Sequence, residues 1–389
     1  MSAQISTNIP KVLSQPASTR IYELDALRAL AAINLMLFHF THVYQTKYGF
    51  IDPLGFEWPY GKYGVQLFFM LSGYVNAMTL CRKGQPGEFV IARLIRILPS
   101  FLFVVGLNLV LLMMMPIRAH SEWSFSQIAA NLTLMPNLLG FECLEPVTWT
   151  LQVEVLFYGF AVVMFLAGVL RSQATNVSTF VWFLLLCFIG GWIVLDLGDP
   201  GNLNWAGQTI VWISQLLLLN YMPLFFMGIF LHRIRMANGR LSINAIMIGL
   251  SMFVFHWIDN HGHNPVVSMM LLGLLGMAAY GRIPLLRWKP FVFISTISYS
   301  LYLLHNNLGC VAIYYLQQWG IPSVHCLIIT IGFTILISTL ATYYFERPIS
   351  KWLRTVWQKY QESRSVVQLK TEPVPGFVGK GVSPSPARR

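Results

Sequence analysis

Apolar residues in this chain come in long unbroken runs rather than in the alternation of a half-buried strand. A helix needs about 20 apolar residues to cross the roughly 30 Å hydrocarbon core of a bilayer. Ten runs approach or exceed that length: 23–44, 64–81, 98–116, 147–170, 179–197, 207–231, 242–258, 265–281, 292–316 and 323–345. The pattern predicts an all-α polytopic membrane protein with about ten transmembrane helices. Pro223 falls inside the sixth run and leaves open two shorter helices there, since a broken helix is tolerated where it faces protein or a cavity. Three parts follow: a flexible polar N-terminal segment over 1–20, a membrane domain over 21–355, and a polar tail over 356–389. The tail is rich in Lys, Glu, Pro, Gly, Ser and Arg and is expected to be disordered, with basic residues that can touch anionic lipid. The first 20 residues hold no apolar segment ahead of a cleavage site, so the first span itself is expected to target the chain.

The charges between the runs set an orientation. Of 26 Lys and Arg, only Lys47, Lys62 and Arg118 fall in loops on one side. Arg28 lies within the first span, and all the others fall on the opposite side. The basic side is cytoplasmic by the positive-inside rule, which predicts N-in and C-in. Composition agrees: 56% of residues are hydrophobic and 11% are charged, against about 25% charged in soluble domains. The net charge of +11 therefore reads as topology and not as nucleic-acid binding. The five cysteines, Cys81, Cys143, Cys187, Cys310 and Cys326, form no metal-type spacing and read as packing residues.

Some polar groups lie at membrane depth, where an ionisable side chain is costly and is by default a functional-site hypothesis. Arg28 and His39 bracket the uncharged stretch Ala29–Phe38, eleven residues apart. Eleven helical steps return to within roughly 20° of the same face, about 16 Å along the axis. The second span carries Gln66, Ser72, Gly73 and Asn76; close helix packing is the plainer role for Ser72, with a nucleophile the sharper one. Arg93 and Arg96 share a helix face at the inner surface, where guanidinium forks suit phosphate oxygens or simply mark topology. Glu154 lies about 10 Å below the outer end of the fourth span and His39 about 8 Å below that of the first, so the two are expected to meet as a His–carboxylate pair. The ninth span carries Ser298, Tyr299, Ser300, Tyr302, His305 and Asn306, which can line a polar cavity. The longest connection, 117–146, either shapes an acceptor site on the outer face or covers it.

Taken in order, these segments resemble the family-3 membrane acyltransferases, which acylate O-antigen, Nod factors and other glycans. Arg28 and His39 match the family's Arg-x10-His element. Gly64-Val-Gln-Leu-Phe-Phe-Met-Leu-Ser-Gly73 resembles its second-helix motif, and Arg93-Leu-Ile-Arg96 its Arg-x-x-Arg element. Trp149-Thr-Leu-Gln-Val-Glu154-Val-Leu-Phe-Tyr158 is similar to its Trp-Ser-Leu-Ser-Val-Glu-Glu-Gln-Phe-Tyr stretch. Ser298 to His305 and Phe345-Glu-Arg-Pro348 match its closing signatures. The likeness covers about residues 20–353. Two positions depart: Gln66 stands where the family usually has Asp, and Val155 where it has a second Glu. The short run beyond the last span looks like the stand-alone type, without a fused hydrolase-like domain.

The resemblance implies an integral membrane O-acyltransferase of the bacterial cytoplasmic membrane. No cofactor is bound; acyl-CoA, most simply acetyl-CoA, is the co-substrate, and a glycan or lipid-linked saccharide is the acceptor. His39 and Glu154 are the expected catalytic residues, His39 as general base and Glu154 as its brace. Arg28, Arg93 and Arg96 are expected to grip the donor's phosphates, with Ser72, Trp149 and His305 also in substrate-binding positions. No metal site is expected. An exporter of glycan or lipid would also explain the spans and buried polar groups, though not the ordered motifs. A catalytically silent scaffold would tolerate loss of His39 and Glu154.

Overall fold

The computed structural model describes residues 21–114, 123–170, 177–197, 203–236, 241–259 and 262–371. No strand occurs among the described residues. α1 (Tyr22–Phe38) runs without a break into a π turn at His39–Val43 and a last turn at Tyr44–Lys47. After a loop come α2 (Gly64–Lys83), α3 (Pro86–Met114), the short α4 (Phe125–Leu132) and α5 (Trp149–Leu166). Next are α6 (Val177–Leu197), α7 (Trp205–Leu216), α8 (Met222–Met236), α9 (Leu241–Ile258) and α10 (Pro265–Ala279). The chain closes with α11 (Lys289–Gln318), α12 (Ser323–Leu340), a second π stretch at Ala341–Glu346, and α13 (Arg347–Thr371).

Seven helical segments among the described residues are long and apolar enough to cross a membrane: Tyr22–Lys47, Pro59–Arg82, Pro86–Leu111, Pro146–Leu166, Val177–Leu197, Leu241–Ile258 and Ser323–Ser363. The protein is thus an all-α, multi-pass membrane protein. The other three runs of the sequence reading are helical for different reasons. The sixth breaks into α7 and α8, because Leu218 takes a left-handed φ of 55° and Pro223 has no N–H to continue a helix. The eighth is α10, whose 15 residues span only about 22 Å. The ninth is α11, long enough to cross but more polar than the other spans; its Ser298, Ser300, His305, Asn306 and Asn307 are buried against protein. The tail also differs from expectation. α13 is helical to Thr371, and within the tail the Gln361 amide ties it to α3 by donating to the Glu88 carboxylate at 3.3 Å. Residues 1–20 and the end of the tail lie outside the described residues.

The core runs from α11 through α1 and α2 to α8, each packed on the next. Ala26, Ala29, Ala31 and Ala32 are buried on α1, and such small residues let neighbouring helices approach. α2 and α8 approach closest. A Cβ on Gly73 would overlap the Phe225 carbonyl, and one on Gly228 the Met70 carbonyl. Neither backbone can yield without moving a helix, so Gly228→Ala should destabilise by about 1–3 kcal/mol, the usual cost of overpacking. Gly249→Ala meets nothing within 4 Å and is the control. Thermal unfolding in detergent checks both; equal melting temperatures would refute the tight crossing.

The segment between α4 and α5 is built rather than loose. Asn131 donates to the Glu142 carbonyl at 2.9 Å and accepts from the Leu144 N–H at 2.8 Å. Glu145, 2% exposed, accepts from the Asn306 amide at 3.0 Å and the Asn307 N–H at 3.3 Å, both on α11.

A second tie joins distant parts of the chain. Pro322 precedes α12 and has no side-chain oxygen to cap it. Asp52 does so instead: its carboxylate accepts from the Ser323 N–H at 3.1 Å and the Ser323 hydroxyl at 2.8 Å. The Ser323 hydroxyl bond, then the Ser323 N–H, hold the Asp52 carboxyl below its ordinary range. A lowered pKa contributes stability that is complete above the ordinary value of about 3.9 and is lost as pH falls through the folded one. Asp52→Asn should therefore flatten the acid side of the melting-temperature profile and leave its neutral-to-alkaline shape alone. An unchanged acid slope would show the carboxylate to be idle.

Candidate active site

Two cavities lie along α1, and the residues singled out in the sequence divide between them. The smaller, about 80 Å³, is lined by Arg28, Ser72, Arg96, Glu154, Ser298 and Tyr299 among others. The larger, about 410 Å³, is lined by His39, Gln66, Trp149, Tyr221, Asp259 and His263 among others. Val65 and Tyr302 line both, so the cavities share a wall. Tyr302 is fixed there: its hydroxyl bonds the Thr150 hydroxyl and donates to the Val147 carbonyl at 3.0 Å.

The smaller cavity is cationic. Arg28 donates to Asp25 at 3.1 Å one turn earlier in α1. Arg96 and Arg93 lie within electrostatic reach of it. Arg93 does not line the cavity; its guanidinium sits over the Phe89 and Tyr158 rings at 5.2 and 5.7 Å. Among the described residues neither Arg93 nor Arg96 is in an ion pair. Glu154 is the one carboxylate on the lining. It accepts from the Tyr158 hydroxyl at 2.6 Å and the Ser72 hydroxyl at 3.4 Å, and Ser72 accepts from the Asn76 amide at 2.9 Å. Glu154 thus balances the guanidiniums at the head of a hydrogen-bonded chain. It is not the partner of His39, contrary to the depth argument. Depth along two helices places their residues at one level but says nothing of the direction each helix faces.

The partner of His39 is His305. The His305 ring is 0% exposed. Its Nδ1 lies 2.7 Å from the Tyr302 carbonyl and 3.2 Å from that of Leu301. A carbonyl only accepts, so in the neutral ring Nδ1 carries the hydrogen and Nε2 is an acceptor. That Nε2 lies 3.1 Å from His39 Nδ1, which in turn lies 2.9 Å from the Leu35 carbonyl. His39 Nδ1 must then carry a hydrogen as well, donated to both. The tautomers are assigned from these acceptors, and the remaining basic nitrogen of His39 is Nε2. His39 is half-buried and lines the larger cavity. His305 lines neither of these cavities; its ring nitrogens meet two carbonyls of α11 and His39. Trp149, at the start of α5, lines the larger cavity and packs against Tyr221 at 5.2 Å. The π turn that opens at His39 has no sequence signal, though such turns recur at functional sites.

An acyltransferase-domain family model matches residues 21–343, nearly all of the membrane domain. The chain belongs to this family. It is 25% identical over 362 residues to the O-acetyltransferase OatA of Staphylococcus aureus, covering 84% of this chain and 57% of that protein. It is 22% identical over 360 residues to YrhL of Bacillus subtilis, provisionally named a peptidoglycan O-acetyltransferase, covering 84% of this chain and 54% of the relative. The chain thus spans just over half the length of these curated relatives. No solved structure matches it.

Proposed function

We propose that the protein moves an acyl group, acetyl by the names of its relatives, from acyl-CoA to a hydroxyl of a cell-surface glycan or lipid-linked saccharide. The setting is a bacterial cytoplasmic membrane with both chain ends inside. Arg28, Arg93 and Arg96 hold the donor's phosphates from the cytoplasmic side by charge-assisted hydrogen bonds. The thioester arm then points up the face of α1 toward the larger cavity. His39 Nε2 takes the proton of the acceptor hydroxyl as that oxygen attacks the thioester carbonyl. The C–S bond then breaks, the imidazolium returns its proton to the leaving thiolate, and an ester and free CoA result. His305 and the Leu35 carbonyl keep His39 in the tautomer this step needs. Glu154 balances the cationic cradle.

One observation supports this reading above the rest: His39 lines the larger cavity with its Nδ1 tied down twice, and its Nε2 is in no hydrogen bond among the described residues. Family membership favours it over export of a glycan or lipid. The test is radiolabelled acetyl-CoA added to membranes that hold the full chain. Label recovered in saccharide, and lost with His39→Ala, supports transfer; label that never leaves CoA refutes it.

A further inference from the structure

The larger cavity carries polar groups that the chemistry at His39 does not use. In the loop after α9, Asp259 and His263 form a pair. His263 Nδ1 lies 2.8 Å from one Asp259 oxygen, and the His263 backbone N–H donates to the other at 2.6 Å. Their side chains are 5% and 11% exposed respectively. An edge-on contact with Tyr63, centroids 5.1 Å apart, fixes the imidazole further. Both members of the pair line the cavity.

Gln66 lines it too. Its Oε1 accepts from the Ser268 hydroxyl at 2.6 Å. Its amide nitrogen is buried and has no hydrogen-bond partner among the described residues. A buried donor left unsatisfied is costly, and a ligand oxygen beside it removes that cost. Trp149 and Tyr221, also on the wall, tilt their rings 38° apart at 5.2 Å. One cavity thus holds a tilted aromatic pair, an amide donor and a carboxylate–imidazole pair. At about 410 Å³ it falls in the range of small-ligand sites, roughly 300–1,000 Å³.

These groups suit a sugar ring, which offers an apolar C–H face on one side and hydroxyls around its edge. We propose that Asp259, His263 and Gln66 are the acceptor-recognition residues. They hydrogen-bond the hydroxyls that flank the one His39 deprotonates, while the ring rests on Trp149 and Tyr221. This inference rests on the transferase reading above and adds to it the residues that select the acceptor.

The test uses the purified full chain in detergent, acetyl-CoA, and oligosaccharides ending in glucose, galactose, mannose or N-acetylglucosamine. The best acceptor of the wild-type protein is carried into kinetics. Asp259→Asn, His263→Gln and Gln66→Met should each raise the KM for that saccharide tenfold or more. The KM for acetyl-CoA and kcat should stay within twofold. An unchanged acceptor KM overturns the proposal. So does a matching rise in the donor KM, which would mark a collapsed loop. If the wild-type protein acetylates none of them, the transferase reading fails instead. Saturation-transfer NMR of the same saccharides on the His39→Ala protein then decides this proposal by itself: signal lost on adding Asp259→Asn supports it, and signal unaffected sinks it.

Discussion

His39→Ala should lower acyl transfer by about 10²–10⁴-fold, the usual contribution of a general base, while the protein still inserts and melts normally. The ring is half-buried, and its removal leaves the helix backbone unchanged, so folding is not the expected casualty. His305→Ala gives a sharper test of the pair. If His305 only fills space, its loss scales kcat at every pH. If it holds the tautomer of His39, the variant also moves the acid limb of the pH–rate profile. A His305→Asn variant, whose amide oxygen can accept from His39 Nδ1, should recover part of the loss. Full turnover by His39→Ala would remove the imidazole from the mechanism altogether.

The second large effect is expected at the cationic cradle. Replacing Arg93 and Arg96 together by Gln should weaken binding of acyl-CoA by about 10²-fold or more, because a hydrogen bond to a charged group contributes roughly 1.5–3 kcal/mol. Substitution by Lys keeps the charges but loses the bidentate fork, and should recover only part of that affinity. Direct binding of CoA to the purified protein reads this without reference to turnover. If CoA binds the double Gln variant as well as the wild type, the two arginines serve orientation in the membrane and not the donor.

Much of this arrangement is legible in the residue pattern. Arg28 and His39 fall on one helix because the stretch between them is uncharged and apolar, and the structure keeps them there. Arg93 and Arg96 read as a guanidinium pair at a helix start, and α3 extends back to Pro86 to carry both. What the pattern does not hold is the direction in which each helix faces. Glu154 and His39 sit at matching expected depths, yet the carboxylate turns to Ser72 and Tyr158 while the imidazole turns to His305. The signal for His305 is its place on a helix too polar to face lipid, which marks α11 as interior. Asp259 and His263 escape because they lie in a short loop between apolar runs, where spacing carries no periodicity. The tail helix escapes for a related reason: α13 is charged and polar, so composition alone resembles a disordered segment, though the helix runs on to Thr371 and Gln361 bonds Glu88 on α3.

The bond between His39 and His305 spans 266 positions of the chain, and the cap of Ser323 by Asp52 spans 271. Helices enter a membrane in the order of their synthesis. The first crossing must therefore wait in the lipid, its imidazole Nδ1 tied to the Leu35 carbonyl alone, until the final quarter of the polypeptide arrives. A nascent or truncated chain consequently holds the first imidazole without the second, and the contact between them forms only as biogenesis finishes.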